Sequence, residues 1–224
     1  MVEKSEPTGN DHMSPVTLTD HARRWARWLI EPIARTLARL RIPPNMVTVV
    51  GFVLSIGVGF VLALGHIRLG GICIILASAF DALDGTLARI VGRTSRFGAF
   101  LDSTMDRLSE AVILLGLLFW YTRLGARQEI LLIYATIVGS TMVSYTRARA
   151  EGLGLECKVG ILTRVERTIV LTAGLLFNQV RIALWVMAIL TNFTALQRMF
   201  YVWQSTRQEE RDLNEQIAHG QKPL

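Results

Sequence analysis

Apolar residues run through this 224-residue chain in blocks. Six of them, at about 46–65, 69–90, 98–121, 129–148, 161–179 and 182–203, each approach the roughly 20 residues a helix needs to cross a bilayer. An even number of crossings puts both ends of the chain on one side. Ahead of the first block, from Asp20 to Ile42, Arg23, Arg24, Arg27, Arg35, Arg39 and Arg41 interleave with Trp25, Trp28, Leu29, Ile33, Leu37 and Leu40. That pattern predicts an amphipathic helix lying on anionic headgroups beside the membrane. The expected fold is an all-α integral membrane protein, six transmembrane helices preceded by a cytoplasmic amphipathic juxtamembrane helix. Residues 1–19 are polar, lack the zones of a secretory signal and read as disordered. Residues 20–203 form the membrane domain, and 204–224 a polar, frayed cytoplasmic tail.

Composition agrees: 51% of the residues are hydrophobic, too many for an ordinary soluble domain. A net charge of +6 suits nucleic acid or anionic lipid equally, but the basic residues sit between apolar runs, which favours lipid and excludes nucleic acid. They also set the orientation. The segment before the first block, the connections carrying Arg89, Arg93 and Arg96 and then Arg147, Arg149, Lys158, Arg164 and Arg167, and the tail with Arg207, Arg211 and Lys222 fall on one side. The other side holds Arg68, Arg123, Arg127 and Arg181. The first set is therefore expected to face the cytoplasm. Gly51, Ser55 and Gly59 recur every four residues and would let the first span approach a neighbour closely. Cys73 and Cys157 suggest no disulfide framework.

Four acids break the apolar pattern. Asp81 and Asp84 close the second block, Asp102 and Asp106 open the third, and spacings of three and four put each pair on one helix face. An ionised side chain in a span costs several kcal/mol. Arg89 and Arg107 are near enough to balance two of the four, which leaves so dense a cluster unexplained. Divalent metal accounts for it better, because hard carboxylate oxygens suit Mg²⁺ or Mn²⁺, whose usual task is to hold a substrate phosphate. Gly85 and Gly98 leave room for a ligand to approach backbone, and Arg89 is placed to reach phosphate oxygens.

Together these residues read Asp81-x-x-Asp84-Gly85-x-x-Ala88-Arg89, eight residues, then Gly98-x-x-x-Asp102-x-x-x-Asp106. The pattern resembles the signature of the CDP-alcohol phosphotransferases at every fixed position, and Pro44-Asn45-x-x-Thr48 is similar to a short motif of that family. The resemblance implies CDP-diacylglycerol or a related CDP-lipid as donor, release of CMP, two Mg²⁺ or Mn²⁺ ions per active site, a homodimer, and a cell (inner) membrane location with the site facing the cytoplasm. It implies Asp81, Asp84 and Asp102 as metal ligands. Asp106 would act as a shared ligand and as the base that takes the acceptor's proton. Asn45, Thr48, Asp84, Gly85, Ala88, Arg89 and Gly98 would contact the CDP-lipid.

The acceptor must be chosen elsewhere. Ser144-Tyr145-x-x-Ala148-Arg149-Ala150-Glu151 with Arg164-x-Glu166-Arg167 is similar to a stretch of bacterial phosphatidylinositol phosphate synthases and their archaeal ether-lipid counterparts. That resemblance implies an acceptor-phosphate pocket of Ser144, Arg147, Arg164 and Arg167, with inositol 1-phosphate preferred. Glycerol 3-phosphate, giving phosphatidylglycerophosphate, is the competing acceptor. A transporter would want polar residues at depth along several spans, but the acids gather at one face. A lipid-binding scaffold leaves the aspartates without a use.

Overall fold

A bilayer offers the backbone no hydrogen-bond partners, so apolar blocks of this length are satisfied only as helices. The computed structural model describes residues 31–91 and 95–218, excluding the side chains of Asp84, Ala88, Glu209 and 212–218. Described residues contain helices and no strands: α1 (31–39), α2 (Pro44–Ala63), α3 (Ile67–Val91), α4 (Arg96–Arg123), α5 (Arg127–Glu151), α6 (Arg164–Leu176) and α7 (Val180–Ala218). Six of these fall on the six apolar blocks.

Helix boundaries follow local chemistry. Pro44 opens α2, where its missing N–H costs nothing. Ser95 caps α4 by accepting the Gly98 N–H at 2.8 Å. The α2–α3 and α4–α5 turns bend through Gly65 (φ 85°) and Gly125 (φ 67°). At Gly65 a side chain is excluded twice over, since a Cβ would also lie 2.3 Å from the Trp120 ring. Within the helices, hydroxyls that would be orphaned in an apolar setting bond back one turn, as Ser55 does to Gly51 O and Thr136 to Leu132 O.

The main helix contacts close a ring: α2 packs on α3 and α4, α4 on α5, α5 on α7, α7 on α6, and α6 on α3. Gly59 and Gly116 make the α2–α4 contact possible, because a Cβ at Gly116 would lie 2.1 Å from the Gly59 carbonyl oxygen. The expected close approach through the glycines of the first span is thus present. The core inside the ring draws on every member, with Leu62, Ile74, Leu114, Ile133, Leu175 and Leu184 among its buried side chains. Large apolar side chains such as Phe60, Leu76, Leu131 and Ile182 point outward and are exposed, the inverse of a soluble protein's surface. Helix α1 docks through the fully buried Ala34 beside Val47, Leu83 and Leu87.

Three expectations need adjustment. Among the described residues, four helices (α2, α3, α5, and α7 as far as Gln208) are long and apolar enough to cross a membrane. The block at 161–179 yields only the 13-residue α6, because Asn178 adopts a left-handed turn (φ 56°) and 161–163 belong to the preceding loop. The polar stretch after Trp203 is helical: α7 continues through Ala218, in a stretch with no Gly or Pro before Gly220. Of the proposed juxtamembrane helix, residues 20–30 lie outside the described residues, as do residues 1–19 and 219–224.

Candidate active site

The short turns after α2, α4 and α6 gather at one end of the ring, so the other end receives the last turns of α3 and α5, the first turns of α4 and α6, and the 152–163 loop. Helical periodicity then turns Asp81 and Asp106 inward. Both carboxylates meet Arg164, whose two terminal nitrogens donate separately, one to Asp81 Oδ2 at 2.6 Å and the other to Asp106 Oδ2 at 2.6 Å. Asp102 is exposed on α4 within electrostatic reach of Arg164 and Asp81. The side chain of Asp84, like that of Ala88, lies outside the described residues. Among those described, no three acidic, histidine or cysteine side chains close on one point.

Among the described residues, the cations placed nearest in sequence turn to their own helices. Arg89 folds back on its own helix, donating to Gly85 O at 3.1 Å and Thr86 Oγ1 at 3.2 Å, and Arg107 donates to Ser103 O. A guanidinium 83 residues from Asp81 does the balancing instead.

The donor set fits a divalent cation. Carboxylate oxygens from two helices already converge on one positive charge, and space around Gly85 is open, with nothing within 4 Å of where a Cβ would stand. Gly51 fixes the other side: a Cβ there would lie 2.9 Å from Asp81 Oδ1, so α2 backs directly onto that carboxylate. Asn45 and Gly98 also meet, the Asn45 Oδ1 standing 3.0 Å from the position of a Gly98 Cβ. Thr48 is buried and donates to Pro44 O at 3.3 Å.

Two cavities flank this cluster. The smaller, about 40 Å³, lies inside the ring above the core and is lined by Ser55, Ser78, Asp81, Asp106 and Arg164. The larger, about 340 Å³, opens between α4, α5, α6 and α7, a size within the roughly 300–1,000 Å³ of small-molecule sites. Its walls include Asp106 together with Ser144, Arg147, Arg164 and Arg167, four residues drawn from two separate stretches of the sequence.

Arg167 is buried and gripped bidentately by Glu110, with both nitrogen–oxygen distances 2.7 Å. Such fork–fork pairing fixes a guanidinium's orientation. Arg147 pairs with Glu151 at 2.8 Å. Sequence reasoning passed over Arg198, which lies in the last apolar block yet lines this cavity with 3% exposure. It donates to the carbonyls of Val159, at 2.8 Å, and Val143. Both are neutral dipoles, and with the guanidinium on the cavity wall the setting favours an anion. The available signal was the residue itself, an arginine inside an apolar span.

Comparison with known proteins adds to this geometry. A family profile described as CDP-alcohol phosphatidyltransferase matches residues 41–196. The archaetidylinositol phosphate synthase of Pyrococcus horikoshii is 42% identical over 172 residues, covering 76% of this chain and 89% of its own. The phosphatidylinositol phosphate synthase of Mycobacteroides abscessus is 34% identical over 183 residues, 78% of this chain and 83% of its own. Among solved structures, the phosphatidylinositol phosphate synthase of Mycobacterium tuberculosis with CDP-DAG bound superposes with a TM-score of 0.75 at 32% identity, covering 78% of this chain and 93% of that one. The same enzyme in complex with manganese and citrate gives a TM-score of 0.74 at 31% identity, covering 78% and 88%.

Proposed function

Because the chain belongs to the CDP-alcohol phosphatidyltransferase family, we propose that it transfers the phosphatidyl group of CDP-diacylglycerol, or its ether-lipid equivalent, to inositol 1-phosphate, giving phosphatidylinositol phosphate and CMP. The observation that carries this reading is the 340 Å³ cavity in which Asp106 shares the walls with Ser144 and the arginines 147, 164, 167 and 198. An acceptor bearing a phosphate satisfies those donors, and its free hydroxyl is then presented toward Asp106. Relatives with both acyl and ether names share the inositol phosphate headgroup.

In this reading Asp81, Asp84, Asp102 and Asp106 hold two Mg²⁺ or Mn²⁺ ions, which when bound supply positive charge to the pyrophosphate. Asp106 accepts the proton of the acceptor hydroxyl. The hydroxyl oxygen bonds to the lipid-side phosphorus as the bond from that phosphorus to the bridging oxygen breaks, and CMP departs with the bridging oxygen. Asn45, Thr48, Gly85, Ala88, Arg89 and Gly98 contact the CDP moiety. Helix α4 and the short α6 together with the loop that precedes it complete six crossings, with both termini and the site on the cytoplasmic face of the cell membrane and a second copy completing a homodimer.

The test is CMP release by purified protein given CDP-diacylglycerol or an ether analogue, Mn²⁺ or Mg²⁺, and inositol 1-phosphate, glycerol 3-phosphate, inositol or serine. Release with inositol 1-phosphate is expected. Release with glycerol 3-phosphate alone reassigns the acceptor, and release with inositol but not its phosphate refutes the cavity's role.

A further inference from the structure

Arg164 differs from the other cations of the acceptor cavity in what holds it. Arg167 is gripped by Glu110 and Arg147 by Glu151, carboxylates that stand apart from the aspartate signature, and Arg198 rests on two carbonyls. Arg164 spends both terminal nitrogens on Asp81 and Asp106, two of the proposed metal ligands, while its partly exposed side chain also lines the cavity. One guanidinium thus stands on the boundary between two sites that need opposite things from it. A metal ion needs the carboxylate lone pairs that Arg164 occupies. A phosphate needs the N–H donors that the carboxylates occupy.

Resting on the function proposed above, we infer that Arg164 is the residue through which the site selects a phosphorylated acceptor: it serves the aspartates when the acceptor is absent and the acceptor's phosphate when it is present. With Asp81 and Asp106 given over to a metal, Arg164 would turn toward the cavity, where its charge requires an anion. A phosphorylated alcohol supplies one and draws the exchange forward. A neutral alcohol does not, so Asp106 Oδ2 stays engaged by the guanidinium and is not released to take a proton. Selectivity arises because the wrong acceptor leaves a charge unpaired. Metal and acceptor phosphate must also strengthen each other's binding by one and the same factor, since the coupling is a free energy shared by both.

The experiment measures Mn²⁺ binding rather than turnover. Full-length protein in detergent, without CDP-lipid, is titrated with Mn²⁺ while free ion is followed by electron paramagnetic resonance, alone, with inositol 1-phosphate and with inositol. Inositol 1-phosphate should tighten Mn²⁺ binding to the wild type by roughly 5- to 150-fold, the usual span of such couplings, and inositol should leave it unchanged. Arg164→Gln should bind Mn²⁺ at least about fivefold more tightly without acceptor, at the lower end of that span, and ignore inositol 1-phosphate. Arg164→Lys, whose single ammonium serves one carboxylate well rather than two, should respond partly. Arg181→Gln, which removes the Glu129 ion pair at the far end of α5 and α7, should behave as wild type.

The inference is overturned if inositol 1-phosphate fails to tighten Mn²⁺ binding to the wild type, a result that needs no variant to fold. It is equally overturned if Arg164→Gln binds Mn²⁺ no more tightly than wild type. CMP release in parallel separates the two levels. Release with an unresponsive Mn²⁺ titration keeps the phosphatidyltransferase and removes the role of Arg164; a responsive titration without release does the reverse.

Discussion

Gly51→Ala is a one-carbon change outside the aspartate signature, yet it should act on the chemistry. The new Cβ would stand 2.9 Å from Asp81 Oδ1, whereas carbon–oxygen contacts settle at about 3.3 Å or more. The carboxylate must retreat by roughly 0.4 Å, and it cannot swing freely because Arg164 holds its other oxygen at 2.6 Å. A displacement of about 1 Å at a reacting centre costs on the order of 100-fold, so a few tenths should cost roughly 5- to 10-fold in turnover. Stability should hardly move, since the displaced atom ends a side chain and Ala is favoured over Gly within a helix by about 0.5–1 kcal/mol. Gly57→Ala is the matched control, on the same helix with nothing within 4 Å of its Cβ. CMP release at saturating substrates, half-saturating Mn²⁺ and detergent-phase melting should be measured for both. Gly51→Ala within twofold of wild type, or equal losses in the two variants, would refute the claim that α2 positions Asp81.

Asp106→Asn should retain Mn²⁺-dependent binding of CDP-diacylglycerol and lose turnover by about 10²- to 10⁴-fold, the contribution of a general base; loss of lipid binding instead would make Asp106 chiefly a ligand. Arg198→Gln should raise the KM for the phosphorylated acceptor by roughly 10- to 100-fold, the worth of hydrogen bonds to a charged group, with the KM for CDP-lipid within twofold in steady-state assays. Gly116→Ala drives a Cβ to 2.1 Å from a backbone oxygen, so it should destabilise the protein by about 1–3 kcal/mol, read as a lowered melting temperature in detergent.

What the sequence revealed depended on how local the information was. The helices were legible because their apolar blocks are continuous, and the aspartates because acids stand out against such blocks. The family was legible because eight positions share one short stretch of α3 and α4. The partner of Asp81 and Asp106 was not, since Arg164 is remote in sequence and reads there as a residue of the acceptor pocket, with nothing to tie it to the aspartates; only the α3–α6 contact makes it a neighbour. Arg198 was hidden by the hydropathy of its block. The limits of α6 escaped detection because Ile161, Leu162 and Phe177 are as apolar as the helix they flank, and a left-handed turn at Asn178 is not a matter of hydropathy.

The shortness of α6 decides where water and lipid meet. Thirteen residues rise only about 20 Å, against a hydrocarbon layer of about 30 Å. The foot of α6 is level with the start of α3, where Gly71 packs on Leu175 and Leu176, so its top reaches Asp81 while α3 climbs ten residues further, about 15 Å. One wall of the ring is therefore low, and the polar cavity opens where that wall ends, at Thr163 and Arg164. On the function proposed above, a soluble inositol phosphate would then descend into the membrane's own thickness, and the lipid donor would not have to be lifted out to meet it.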